Sequence, residues 1–217
     1  SFVLLDLRGG VLELIDSNAS IRATGEATFL RSVGASALIE RTMVEFTAAV
    51  SARAVSAVDG AVTIRDARLA ASTGVPVFGA VTVAGTACDL DSLIIESFAS
   101  RNFTGVSAVG GRLALRAVDL RASGGSGTCS PFDFEQSDVT IETSFAGVEW
   151  KGPFSVVRSQ ASGTTIDHAT FIASAPARRV VMFDASGAGS LVARSSILQV
   201  SGSAGVFLAS DRPALAL

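Results

Sequence analysis

The sequence predicts an all-β solenoid, and three observations carry that expectation. The first is a period: the central apolar residue of each unit falls at Leu14, Ile39, Ile64, Leu90, Leu115, Ile141, Ile166, Val192 and Leu217, and successive position numbers differ by 25, 25, 26, 25, 26, 25, 26 and 25. The second is a beat inside each unit. In GAVTIRDARLAAS, from Gly60 to Ser72, Val62 and Ile64 alternate about Thr63 as in a half-buried strand, and the next large apolar residue, Leu69, follows five positions later. That gap continues neither a strand nor a helix, so it marks a corner. The third is composition: 21 Gly against 5 Pro, with abundant Ala, Ser, Val and Thr, suits many short strands joined by tight turns.

Each unit offers three inward segments. Two residues before the centre stand Leu12, Ala37, Val62, Cys88, Leu113, Val139, Thr164 and Ser190, which with the central column form the inward side of a short strand. Five residues after it stand Ala19, Val44, Leu69, Ile95, Leu120, Ala146, Phe171 and Ile197, the start of a second inward segment beyond the corner. A looser apolar position, at Phe29, Phe78, Phe103, Phe132, Phe154 and Phe207, marks the third. Glycines at 10, 34, 60, 85, 111, 163 and 189 sit before the central strand, where the chain turns sharply. A unit of this size buries its apolar side only by stacking on copies of itself, which is the logic of a solenoid.

The repeats VTIRDARL, LALRAVDL, VTIETSFA and TTIDHATF follow a V-T-I-x-[DNS]-x-x-[LF] pattern. This resembles the right-handed parallel β-helix of the pectin-lyase-like superfamily, and the resemblance covers essentially the whole chain. It implies a single domain over residues 1–217, wound in about 8 coils that each take 25 or 26 positions of the chain. A leucine-rich-repeat-like solenoid is the alternative, since it spaces apolar residues similarly. Its asparagine slot here holds Ser17, Thr42, Ala67, Leu93, Val118, Ser144, Ala169 and Ser195, with no Asn. At about 4.8 Å per coil, eight coils make a rod roughly 40 Å long. Leu217 already occupies the central column and neither terminus offers a polar cap, so the chain is expected to be a segment of a longer protein or to meet a partner at an end, by end-to-end association or through a flanking domain.

Composition narrows the function. The formal net charge of −3, with no block of like charge, lacks the clustered Lys and Arg that nucleic acid requires, so no nucleic-acid partner is expected. No apolar run approaches the roughly 20 residues of a transmembrane segment. SFVLLDLRGG lacks the charged segment and cleavage pattern of a secretion signal. Cys88 and Cys129 lie far apart in the sequence, without a CxxC or a His cluster, which argues against zinc. Cys88 is expected to be buried and Cys129, in SGGSGTCSPF, more exposed; whether they pair is left open.

Candidate sites lie on the outward positions. The residues following the central column are Ile15, Glu40, Arg65, Asp91, Arg116, Glu142, Asp167 and Ala193, whose signs alternate from Glu40 to Glu142. The plain reading is a ladder of surface ion pairs that fixes register, each worth about 0.2–1 kcal/mol. Asp89 and Asp91 share a face flanked by Arg65 and Arg116. By resemblance to pectate-lyase-type enzymes, the two acids would be calcium ligands and Arg65 or Arg116 the base. Glu142 and Asp167, beside the sole histidine, His168, form a second pair of acids of the kind that divides acid and base roles in glycoside hydrolysis. His168 itself fills the polar turn slot shared with Asp16, Arg41, Asp66 and Ser92.

Trp150, in the least regular repeat, is a candidate sugar platform, although the absence of Tyr counts against a long glycan groove. Thr63, Thr140 and Thr165 are interrupted by Asp89 and Ala114, so the lattice-binding array of an ice-binding face is not expected. No phosphate loop, dinucleotide fingerprint or Ser-His-Asp set occurs. The expected function is therefore a non-enzymatic stalk or adhesive scaffold of a secreted or cell-surface bacterial protein, meeting a glycan or host-surface ligand through irregular stretches at 122–136 and 147–154. Extracellular location follows from the habits of the fold. The alternative is a carbohydrate-active enzyme, a polysaccharide lyase or glycoside hydrolase, with calcium as its one expected cofactor.

Overall fold

A computed structural model describes residues 1–210 apart from 49, 73, 74 and 99, together with 214–216. Among these residues the chain forms 22 strands and no helix, and the strand pairings are all parallel. Each strand pairs with its counterpart one repeat further along the sequence, as Leu5 does with Leu30 and Leu14 with Ile39, so the chain winds as a parallel β-helix of about eight coils with three faces. Strands on three faces, with no helix opposite a single sheet, exclude the leucine-rich-repeat alternative.

The first face begins with Phe2–Arg8, Glu26–Val33 and Ser51–Val58, and the second with Val11–Ile15, Ser36–Glu40 and Ala61–Arg65. The third begins with Asn18–Arg22, Met43–Ala48 and Arg68–Ala71. In coils four and five, Val77–Asp91 and Asn102–Arg116 run unbroken from the first face into the second. The expected inward columns are the core: Ile39, Ile64, Leu90, Leu115, Ile141 and Ile166 are fully buried, each withdrawing about 1.5–3 kcal/mol of apolar side chain from water. Aromatic rings run through the interior from Phe46 to Phe78 (6.0 Å between centroids), Phe103 (6.1 Å) and Trp150 (6.5 Å).

Both corners flanking the second face are built on left-handed residues. After it stand Asp16, Arg41, Asp66, Ser92, Ala117, Thr143, His168 and Ser195, all with φ between 46° and 53°. Non-glycine residues resist that conformation. It persists here because their amides keep the ladder unbroken: Asp16 donates to the Glu40 carbonyl at 3.1 Å and Arg41 to the Arg65 carbonyl at 3.0 Å. Where Ser or Thr follows the corner, its hydroxyl donates to the carbonyl two residues back, as Thr42 does to Glu40 and Ser144 to Glu142. Before the second face, Gly60 is required for a different reason: a Cβ there would lie 2.1 Å from the Ala35 carbonyl oxygen of the coil below.

Several expectations are corrected. In the last coils Ile166 pairs with Ala193, and Thr164 with Leu191, so Val192 points outward and the spacing there is 27. The cause is one extra residue in the corner at Gly187 to Gly189: the strand resumes three residues after the corner residue, at Ser190, where Ala161 is followed by a strand starting at Gly163. Leu198 likewise replaces Ile197 in the third-face column, and Ile197 is exposed. Leu217 lies outside the described residues.

The phenylalanines do not share one column. Phe78 and Phe103 pair with one another, Phe132 aligns with Val106 and Val157, and Phe29 occupies a bend where two consecutive residues point inward. The side chain of Phe207 lies outside the described residues. Cys129 is buried on the strand Cys129–Glu135, and both cysteines are free thiols. The stretches at 122–136 and 147–154 consist largely of regular strand, with the irregular backbone confined to 124–128, the corner residue Gln136 and 150–153.

Candidate functional site

The second face carries the predicted site residues. Its backbone alternation sends Asp89 and Asp91 outward on one strand, with Thr63 and Arg65 beside them in the coil below and Ala114 and Arg116 in the coil above. A shallow depression of about 270 Å³ opens where Ala61, Ala87 and Ala114 leave the surface low, between Asp89, Arg112 and Arg116. Arg65 approaches Asp89 at 3.8 Å, and the Ser92 hydroxyl donates to Asp91 at 3.3 Å. Arg116 does not turn toward these acids. It pairs with Glu142 of the next coil at 3.3 Å.

The second candidate pair is likewise divided. Glu142 and Asp167 are neighbours in register, yet Glu142 faces Arg116 and Asp167 faces His168, whose Nδ1 lies 3.0 Å from it. His168 is exposed in the left-handed corner with φ of 51°, the slot expected for it. The corrected register also sets a basic residue beside Asp167. Its neighbour in the last full coil is Arg194, so the outward column ends in a basic residue and not in Ala193. Among the described residues no three or more His, Cys, Asp or Glu side chains converge as ligands of a metal ion.

Trp150 offers no platform. Its side chain is completely buried, its Nε1 donates to the Gly127 carbonyl at 2.9 Å, and the ring packs against Phe103. A Cβ on Gly125 would lie 2.0 Å from the indole, so the loop at 124–128 is shaped around it. A glycine-rich stretch followed one coil later by a large aromatic residue is the sequence signal of that packing.

Two features escaped the sequence. On the third face an open groove of about 580 Å³ runs over Gly147 between Phe98, Phe145 and Ile172, with the Arg121 guanidinium 5.8 Å from the Phe145 centroid. Its signal is a glycine in an outward column beside exposed aromatic residues. A forked surface pair lies at the other end of the molecule, where Arg41 donates from Nε and Nη2 to the two oxygens of Asp16, at 2.6 and 3.0 Å, and also contacts Glu40. That fork holds the Asp16 carboxyl below its ordinary range. Against protein-family models, curated proteins and solved structures alike, the chain finds no match.

Proposed function

We propose that this chain is a non-enzymatic structural segment of a secreted or cell-surface bacterial protein, a right-handed β-helix of the pectin-lyase-like kind that acts as a stiff scaffold. The observation that supports this reading is the pairing of three of the four candidate acids, Asp91 having only the Ser92 hydroxyl. Asp89 with Arg65, Glu142 with Arg116 and Asp167 with His168 each engage a carboxylate that a lyase or hydrolase would need free. Such ladders hold neighbouring coils in register, which is a structural task. The repeat itself supports the family and the extracellular location, since the resemblance extends over essentially the whole chain.

A carbohydrate-active reading has one observation in its favour, the depression that brings Asp89 near Arg112 and Arg116. Thermal unfolding with and without calcium, against neutral and acidic polysaccharides, separates the two. A ligand at 100 times its dissociation constant adds about 2.7 kcal/mol to stability. The scaffold reading expects no shift across the panel. A calcium-dependent shift abolished by Asp91→Asn would overturn it in favour of the enzyme.

A further inference from the structure

Over its first seven coils the outward side of the first face carries a charge pattern that is its own complement. One column holds Asp6 and Arg31 in coils one and two, Ser56, Thr82 and Ser107 in coils three to five, Asp133 and Arg158 in coils six and seven, and Asp184 in coil eight. Read in reverse over coils one to seven, each charge meets its opposite, and Asp184 overhangs past the facing coil one. A twofold axis parallel to the strands and passing by Thr82 keeps each column on itself while inverting the order of coils. It sets Asp6 against Arg158, Arg31 against Asp133, Ser56 against Ser107 and Thr82 against Thr82.

The neighbouring columns agree with that operation. It lays Val58 on Val109 and Ala84 on Ala84, with Gly79 on Gly79 behind them. Val58 and Val109 are 40% and 45% exposed, a large fraction for aliphatic side chains on a sheet. Arg8 falls opposite Gln160, Glu135 opposite Val33 and Arg53 opposite Thr104, so no like charges face each other within coils one to seven. Small, uncharged residues in the middle with charges at the periphery is the anatomy of a protein interface.

Among the described residues Asp6 pairs with Arg8 at 3.5 Å, and one of the four charges is left without an ion-pair partner in a single copy. Arg31 has no ion-pair partner among the described residues. Asp133 has Arg158 at 3.8 Å, and burial pushes its carboxyl up more than that cation pulls it down. Seven residues of strand by seven coils cover roughly 780 Å² per copy, at ~3.3 Å per residue and ~4.8 Å per coil. Two copies would bury about 1,550 Å², within the range of stable interfaces.

We propose that the first face is a self-recognition surface, on which two copies pack face to face and antiparallel about an axis at Thr82. The isologous geometry makes each charged contact occur twice.

The test is sedimentation equilibrium of the 217-residue chain between about 1 and 100 µM, as an order-of-magnitude window for interfaces of this size, with circular dichroism confirming that each variant is folded. The wild type is expected to dimerise, more weakly as salt is raised. Arg31→Glu and Asp133→Arg, which set like charges together, should each weaken the dimer about 100-fold. Combining both substitutions in one chain restores opposite charges and should restore dimerisation. Thr82→Cys should give a disulfide-linked dimer on mild oxidation, and Thr63→Cys, on the second face, should not. A monomeric wild type overturns the proposal, as do oligomers indifferent to the single swaps, a double swap that fails to restore the dimer, or equal cross-linking through Thr63→Cys.

Discussion

The backbone amide of Val118 donates to the hydroxyl oxygen of Ser144 at 3.2 Å, across one coil, while that hydroxyl donates to the Glu142 carbonyl at 2.8 Å. One buried side chain thus closes its own corner and ties it to the corner below. Ser162 repeats the device at the other corner, accepting from the Ser137 amide at 3.1 Å and donating to the Gln160 carbonyl at 2.9 Å. Ser144→Ala leaves the buried Val118 amide without this acceptor, and urea unfolding should show a loss of about 1–3 kcal/mol. Ser144→Thr keeps the hydroxyl, as Thr42 does in the same slot, and should retain most of the stability.

Trp150 should behave as an interior probe. Its fluorescence is expected to be blue-shifted, resistant to acrylamide and unchanged by polysaccharides, because the indole is buried and bonded to Gly127. Gly125→Ala drives a methyl into that ring and into the Ser100 carbonyl. Overpacking of this kind costs about 1–3 kcal/mol or more, and the emission should shift to the red in the same variant. A normal melt and unaltered emission for Gly125→Ala would show that the loop has room the structure denies it.

The fork between Arg41 and Asp16 sets a pH dependence with a definite sign. The two hydrogen bonds from Arg41 hold the folded carboxyl below its unfolded value near 3.8. The contribution is therefore fully present above that value and is lost as pH falls through the depressed folded pKa. Carboxyl titration by NMR should place the Asp16 midpoint below 3.8 in the wild type and return it toward 3.8 in Arg41→Gln. An unchanged midpoint would mean that the fork does not persist in solution.

The cysteines should be silent until the coils open. Burial, with a smaller contribution from Asp89, pushes the Cys88 thiol up to about 12, and burial raises Cys129 as well. Neither supplies thiolate near neutral pH, so a disulfide reagent should label both in denaturant and neither in the folded protein. Labelling of Cys129 alone in buffer would reveal local opening of the strand that holds it.

The coil length, inward columns and charged outer ladder were legible because each depends on residue type repeated at a fixed spacing. Register was lost at Val192 because a single extra corner residue between Gly187 and Gly189 shifts the positions that follow it, as far as Gly202, by one, and alternating small residues such as Val192 and Ala193 do not betray the slip. Trp150 was misplaced for another reason: its burial depends on Gly125 and Gly127 of the coil below, a contact that spacing alone does not encode. The candidate acids and their place in an ion-pair ladder were found, but each acid's choice of partner was not. Whether Arg116 turns to Asp91 or to Glu142 is a choice of rotamer, and the alternating column permits both.

The ladder that continues through the corners has a mechanical consequence. The amides of Asp16, Arg41 and Asp66 and the strand pairings between coils all point along the stacking direction. Tension between the two termini therefore loads one coil at a time, as in opening a zipper, in place of shearing a whole sheet at once. Each rupture should release one turn of chain, about 25 residues or roughly 85 Å of contour. Force-extension traces are expected to show a train of low, evenly spaced peaks, with the coils held by paired corner serines and the Trp150 packing giving way last.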